Sequence, residues 1–365
     1  MLEMEEKKKS LYLNRNKVMI TNLLKKYFLL FLLTTICYCS LGQHKQYSVY
    51  PIAFYNVENL FDTERDSSIQ DEEFTPGGGM NWTPDKYWKK LEKIASVLSR
   101  IGRKYGKSGP AIIGLSEIEN RRVLNDLIMQ NEIAGNQYEI VHYESPDRRG
   151  IDVAMLYNPK LFRLIDAQVL PYKLASKPSY VTRDVLMVKG VMANEMVHIF
   201  VNHWPSRFGS KSSELREHAA GIVKNAVDSI YLKNPQAKII IMGDLNDDPV
   251  DVSVKDVLGA KRRSENLKTG DLYNTMYKHY VQGIGSLGYL AKWSLFDQII
   301  ISEALLGDDR SSLKFWKSEI YNPDYLITKD GRYKGYPLRT FSGNLFQNGY
   351  SDHFPVLIYL LKELN

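Results

Sequence analysis

The sequence predicts a single large mixed α/β domain behind a short leader, on three observations. Apolar runs rich in β-branched residues, each too short for a helix, recur from Tyr50 to Tyr359. Amphipathic stretches with helical spacing lie between them. No internal repeat, low-complexity tract or long linker divides residues 43–365, a length sufficient for an ordinary hydrophobic core.

In chain order, strands are expected at Tyr50–Tyr55, Ala111–Ser116, Tyr138–Tyr143, Ile151–Tyr157, Val185–Gly190, Met196–Asn202, Lys238–Met242, Leu295–Ile301 and Phe354–Tyr359. The run Ile239-Ile240-Ile241-Met242 is apolar at every position and reads as a fully buried strand. Three helices stand out. Thr83 before Pro84 is an N-cap with proline in the first turn, and Trp88, Leu91, Ile94, Ala95, Leu98 and Ile101 fall on one face behind it. A second helix runs from Asn120 through Val123, Leu124, Leu127 and Ile128. A third covers about Ser213–Leu232, with Leu215, Ala219, Ile222, Ala226 and Ile230 inward. Two long loops remain, the acidic Asp62–Asn81 and the aromatic, polar Tyr321–Tyr350, and loops of that length are usually functional or mobile.

Residues 1–42 read as a targeting leader. Lys25 and Lys26 precede an apolar run, Tyr27 to Tyr38, that is too short to span a bilayer. Ser40-Leu41-Gly42 then offers a small-x-small cleavage site before Gln43, the pattern of a secretory signal peptide that would conventionally start at Met19. An exported protein is therefore expected, periplasmic, extracellular or at the cell surface of a bacterium, with no stable membrane span after cleavage. An uncleaved anchor is the competing reading, and lipidation at Cys37 or Cys39 a minor one, because the small residues that usually precede a lipidated cysteine are missing. The leader holds seven Lys/Arg against three Glu, so a net charge of +6 for the chain leaves only +2 for residues 43–365. The basic balance is thus poor evidence for nucleic-acid binding. Both cysteines lie in the leader, which excludes disulfides, a thiolate nucleophile and cysteine-ligated zinc from the domain.

Chemistry-bearing residues collect at strand ends. Asn56 and Glu58 follow the first strand, Glu117 the second, and His203 with Trp204 the Met196–Asn202 strand. Asp244 and Asn246 follow Lys238–Met242, Asp297 sits where the next strand begins, and Ser351-Asp352-His353 precedes the last. Acids, amides and imidazoles at one edge of several strands suit metal-assisted hydrolysis. Carboxylates hold a hard cation that polarises a phosphoryl oxygen and activates water, while imidazoles held by carboxylates shuttle protons. Plainer explanations compete: Gly243–Pro249 is ordinary turn chemistry, Asp297 fits a turn and Asp352 a cap. Asp247 and Asp248 are expected as turn and surface residues, and His142, His198, His218 and His279 as structural.

Six motifs decide between these readings: FYNVENLFD (54–62), IIGLSEIEN (112–120), VNHWPSR (201–207), IIIMGDLNDDP (239–249), LFDQIII (295–301) and GYSDHFPV (349–356). Their order resembles the endonuclease/exonuclease/phosphatase (DNase I-like) superfamily, which includes DNase I, exonuclease III-type repair enzymes, sphingomyelinases and inositol polyphosphate 5-phosphatases. The resemblance spans residues 50–360 and is greatest to exported bacterial nucleases of that group. It implies a four-layer αββα sandwich, two mixed sheets packed face to face with helices outside and the site at one end. It also implies that Glu117 is the main Mg²⁺ ligand (Mn²⁺ or Ca²⁺ being alternatives), with Asn56 beside it directly or through water and Asp352 as a neighbouring carboxylate within reach of a metal. Asp244 and Asn246 would handle the attacking water and the scissile phosphate. His353 would contact phosphate or act as acid/base, oriented by Asp297. His203 would be the second histidine that exonuclease III-type enzymes lack, and Asp152 lies near where relatives place its support.

The function implied is exported, Mg²⁺-dependent phosphodiester hydrolysis by a monomer, with a nuclease on DNA or RNA preferred. The alternative is a phosphatase or phospholipase-type phosphodiesterase on an inositol phosphate or sphingomyelin-like substrate. A catalytically dead binding module is disfavoured because every catalytic motif residue is present. One departure matters. DNase I has phosphate-contacting arginines two residues after the first-strand asparagine and after the metal glutamate, where this chain has Glu58 and Glu119. Two acids in place of two cations weaken the grip on a DNA backbone. Arg149, Arg183, Arg207 and Arg339 are the substitute donors, unranked by sequence, and Glu119 fits either a metal ligand or a helix-start carboxylate.

Overall fold

The computed structural model describes residues 1–40, 45–207 and 212–364. Leu2–Ser40 is one continuous helix, α1, in a unit that ends at Gln46; the domain begins at Tyr47. No described helix is long and apolar enough to cross a membrane. Of the expected cleavage motif, Leu41 to Gln43 lie outside the described residues.

The domain is built on two mixed sheets. The first comprises β1 (Tyr47–Leu60), β2 (Ile112–Ile118), β3 (Glu139–His142), β4 (Asp152–Tyr157) and two late strands, β14 (Lys314–Ile320) and β17 (Val356–Glu363), in the order β14-β17-β1-β2-β4-β3. The second takes β5 (Phe162–Leu170), β6 (Val185–Met192), β7 (Glu195–His203), β8 (Lys238–Asp244), β9 (Ala260–Lys261), β10 (Leu272–Asn274) and β13 (Asp297–Ser302), in the order β5-β6-β7-β8-β13-β10-β9. Two small hairpins, β11 (Leu287–Tyr289) with β12 (Lys292–Ser294) and β15 (Phe341–Ser342) with β16 (Leu345–Phe346), stand apart from both sheets. All nine expected strands form. The unexpected β5 and β14 are edge strands, whose polar outer positions blur the apolar pattern.

Side-chain alternation divides the core. Ile240 and Met242 of β8 enter the central core between the sheets, whereas Ile239 and Ile241 face a second core beneath α4 (Ser213–Lys233). The unbroken apolar run follows from that double burial, each side chain contributing roughly 1.5–3 kcal/mol. Leu91, Ile94, Ala95 and Leu98 of α2 (Pro84–Leu98), with Val123, Leu124 and Leu127 of α3 (Arg121–Ile128), cover the first sheet. Thr83 caps α2 by accepting from Lys86 N at 3.5 Å. The result is the expected four-layer αββα sandwich. Its layers approach closely at Gly114 of β2, where a Cβ would lie 2.6 Å from Met242 Sδ.

Candidate active site

Register brings the second sheet's functional residues to one rung. Asp244, the last residue of β8, pairs with His203 of β7 in the parallel direction and with Asp297 of β13 in the antiparallel one. The first sheet supplies Asn56 and Glu117 through irregularities. β1 loses register with β2 between Asn56 and Leu60, and β2 with β4 between Ser116 and Ile118. At these irregularities Glu58, Asn59 and Glu117 take left-handed φ of 54°, 50° and 63°. Such angles cost non-glycine residues about 1–3 kcal/mol each and persist where the surroundings over-determine them. Here they turn Glu117 so that its Oε2 accepts Asn59 N at 2.9 Å and its Oε1 meets Asn56 Nδ2 at 3.5 Å.

Asp244 is the hub. It accepts Asn56 Nδ2 at 3.0 Å, lies 3.7 Å from His203 Nε2 and 3.9 Å from His353 Nε2, and its other oxygen accepts Asn246 N at 3.0 Å. Burial pushes its carboxyl up to about 7, with Asp297 adding to the rise and His353 opposing it. His353 Nδ1 bonds Asp297 Oδ2 at 2.6 Å. Burial alone would lower that imidazole, but Asp297, with Asp244 and Asp352, holds it well above the ordinary histidine range. These carboxylates favour its protonated form. His203 is the reverse: burial, reinforced by Arg183 and Arg149, drives it well below that range, so it is neutral. Asn246, at φ 50°, spends its Nδ2 on Trp204 O at 3.0 Å.

Asp244, Asp297 and His353 offer ligand atoms within 4.8 Å of one another, but the His353–Asp297 bond makes them an acid–base group first. The reachable hard donors are elsewhere. The Glu117 and Asp352 side chains are 14% and 25% exposed, against 3% for Asp244 and none for Asp297. Accessible carboxylates are the donors a divalent cation takes, with Glu117 3.8 Å from Arg149 and Asp352 already paired with Arg339 at 2.7 Å. Asn56 presents its amide nitrogen to Glu117 and Asp244 while its Oδ1 accepts Glu58 N at 3.0 Å. In this arrangement Asn56 orients both carboxylates and stands beside Glu117, as expected of a residue that reaches a metal directly or through water.

A cation reaches the site from far along the chain. Arg339 donates from Nη2 to Asp352 Oδ2 at 2.7 Å and from Nε to Glu58 Oε1 at 3.3 Å, and Glu58 Oε2 also accepts Thr340 N at 2.7 Å. Beneath them Lys90 of α2, 1% exposed, donates to Tyr350 O at 2.6 Å and to Thr340 Oγ1. Burial raises Glu58 to about 7 and lowers Lys90 to about 8.

The sequence profile described as the Endonuclease/Exonuclease/phosphatase family matches residues 51–362. The chain belongs to that family. Its members are metal-dependent phosphoesterases, which agrees with the donor set around Glu117. No curated protein matches the chain at a significant level. Among solved structures, an endonuclease/exonuclease/phosphatase family protein from Bacteroides thetaiotaomicron aligns with TM-score 0.53 and 16% identity, covering 87% of this chain and 100% of its own. The same organism's mannosyl-6-phosphatase aligns at 0.52 and 15%, covering 85% and 99%. D. rerio TDP2 with a single-strand DNA product aligns at 0.51 and 11%, covering 86% and 99%. At these identities the likeness is one of fold.

Within the family frame, most expected site residues converge and one does not. Asp152 accepts Ser145 N at 2.8 Å and pairs with His142 Nε2 at 3.2 Å. It serves the β3–β4 edge, not His203, whose Nδ1 is buried without a hydrogen-bond partner among the described residues. Asp247 is no surface residue either. It is 2% exposed and accepts from Arg207, Arg216 and Ser253. Glu119 points away to Asp62 N at 2.6 Å, and burial lifts it to about 8. Of the four candidate arginines, Arg207 is engaged by Asp247 and Asp251, and Arg183 by Asp147 and the carbonyls of His203 and Trp204. Arg149, 3.8 Å from Glu117, and Arg339 border the site. Lys90 was illegible in the sequence, since it belongs to no motif or periodic face that marks it, and Arg339 was one of four candidates that the sequence left unranked.

Proposed function

We propose that the protein hydrolyses phosphodiesters of nucleic acid in a divalent-metal-dependent reaction, as an exported nuclease. The convergence of Asp244 with the Asp297-held His353 carries this reading. Ionised Asp244 takes the proton of the attacking water, which Asn246 helps to place. Cationic His353, fixed by Asp297, hydrogen-bonds a phosphoryl oxygen as charge builds there, and neutral His203 supplies a second imidazole near the same Asp244 oxygen. Glu117, with Asp352 as the neighbouring carboxylate, would hold a divalent cation, and the chemistry it would supply is polarisation of the phosphoryl group. Mg²⁺ is the preferred ion.

Export rests on the leader pattern of residues 19–43. N-terminal sequencing of secreted material starting at Gln43 would support it, and intact leader in cytosolic protein would reject it. A second reading, a phosphatase or phospholipase-type enzyme for a compact phosphoester, is favoured by Glu58 and Glu119 standing where DNase I has cations. The fold accommodates both, as the DNA-bound and sugar-phosphatase neighbours illustrate. A side-by-side assay of the full-length chain on single-stranded DNA, RNA, sphingomyelin and sugar or inositol phosphates separates them, and preference for either of the last two classes displaces the nuclease. EDTA should stop all turnover and Mg²⁺ restore it. Activity that persists in chelator rejects the metal dependence.

A further inference from the structure

We propose that the cavity between the β11–β12 hairpin and residues 328–339 is a subsite for the nucleobase flanking the scissile phosphate; it rests on the nuclease reading above. The cavity has a volume of about 780 Å³, within the range of roughly 300–1,000 Å³ typical of small-ligand sites. Tyr289 and Leu290 line it from the hairpin, Tyr333 and Tyr336 from the loop, and Arg339 with Asp352 at the catalytic end.

The hairpin is tied to the catalytic strand. Leu287 bridges to His353, and Phe354 N donates to Ser286 O at 2.8 Å. Its turn residues, Leu290 and Ala291, both adopt left-handed φ, 46° and 60°, without the glycine or asparagine such a turn favours. Its tip nevertheless leaves Tyr289 and Leu290 two-thirds exposed. Strain combined with exposed apolar surface beside a reaction centre is how binding elements are built. On the opposite wall, Tyr336 rests against Gly288, where a Cβ would come within 2.6 Å of the ring, and the Trp293 ring meets it edge-on at 5.3 Å. Tyr333 follows at 6.4 Å, with Arg332 over its ring at 5.8 Å. Flat apolar faces beside the Arg332 guanidinium, with Arg339 at the catalytic end held by Asp352 and Glu58, match a heterocyclic base next to the reaction centre. Such stacking tolerates any base, since every base has a π face.

The test is binding, so that it does not depend on turnover. The full-length chain carrying Asp244→Asn is titrated by calorimetry with deoxyadenosine 3′,5′-bisphosphate and with base-free deoxyribose 3′,5′-bisphosphate. The base should tighten binding by about 5-fold or more, the low end of the effect of one stacked base. Tyr333→Ala in the same background should abolish the difference and Tyr333→Phe preserve it. Equal affinities, binding of neither compound, or a preference untouched by Tyr333→Ala overturns the subsite. Base preference in a protein that hydrolyses no nucleic acid supports the subsite and rejects the nuclease reading alone. Cleavage of normal and abasic single strands with equal kcat/KM does the opposite.

Discussion

Asp244 touches Asn56 and Asn246 and lies within 4 Å of both candidate histidines, so its protonation controls the site. With its carboxyl near 7, the base form appears as pH rises, and kcat/KM should climb through an acid limb at or below that value, because a bound cation favours the carboxylate. A profile with no acid limb anywhere in the pH range where the protein stays folded would reject Asp244 as base. Asp244→Asn and His353→Ala should each cost about 10²–10⁴ in turnover, with thermal unfolding showing that the fold survives. Glu119 tests burial instead. Its carboxyl is raised from an ordinary 4.5 to about 8, so the folded state holds the proton more tightly. The stability this adds is complete below about 4.5 and is lost as pH rises towards 8. Glu119→Gln keeps an acceptor for Asp62 N and should raise Tm at pH 8 by ~2 °C or more, but not at pH 4. An equal shift at both pH values would show that ionisation is not the cause.

At the scale of elements, the loop 321–350 is docked by charge. Lys90 on α2 binds Thr340 and Tyr350 from below, and Glu58 on β1 binds Thr340 and Arg339 from the side. Lys90→Met should cost about 1–3 kcal/mol, because the Tyr350 carbonyl and the Thr340 hydroxyl lose their buried donor and Glu58 loses the nearby Lys90 charge that favours its carboxylate. Glu58→Gln in the same chain should recover part of that loss. Thermal unfolding gives the magnitude, and faster proteolysis within 321–350 gives the location. A Lys90→Met protein with unchanged Tm and unchanged loop cleavage would show that apolar packing alone docks this segment. The same contacts account for the departure from DNase I: Glu58 stands where a cation is expected and instead fixes one, Arg339, that arrives from the opposite end of the domain.

At the scale of the molecule, the two sheets must meet closely for their ends to share one site. Asn56 and Glu117 come from the first sheet, and Asp244, His203 and Asp297 from the second. Gly114 sets part of that spacing, since its missing side chain admits Met242 Sδ. Gly114→Ala should cost about 1–3 kcal/mol by overpacking and should also lower kcat, as the sheets part and Asn56 moves off Asp244. Met242→Ala in the Gly114→Ala background should recover kcat if spacing is the cause. A rate loss that persists in the double variant would place the damage within β2.

The sequence by itself determined the strands that carry apolar runs, the three amphipathic helices, one of them with its Thr83 cap, and the candidate motif residues Glu117, Asp244, Asn246, Asp297 and His353. Those signals are local: a buried strand must be apolar, a helix must repeat at its own period, and a turn after a strand must use polar residues. Only the tertiary structure decided which polar residues meet. Asp152 and Asp247 could be placed near the site or on the surface by spacing, but pairing with His142 and with Arg207 and Arg216 depends on which strands and loops become neighbours. Arg339 and Lys90 lie about 250 residues apart in a loop and a helix, and they join one network because α2, β1 and the loop between β14 and β17 meet on the first sheet. Edge strands β5 and β14 were hidden for a related reason, since half their surface faces water and carries no apolar pattern.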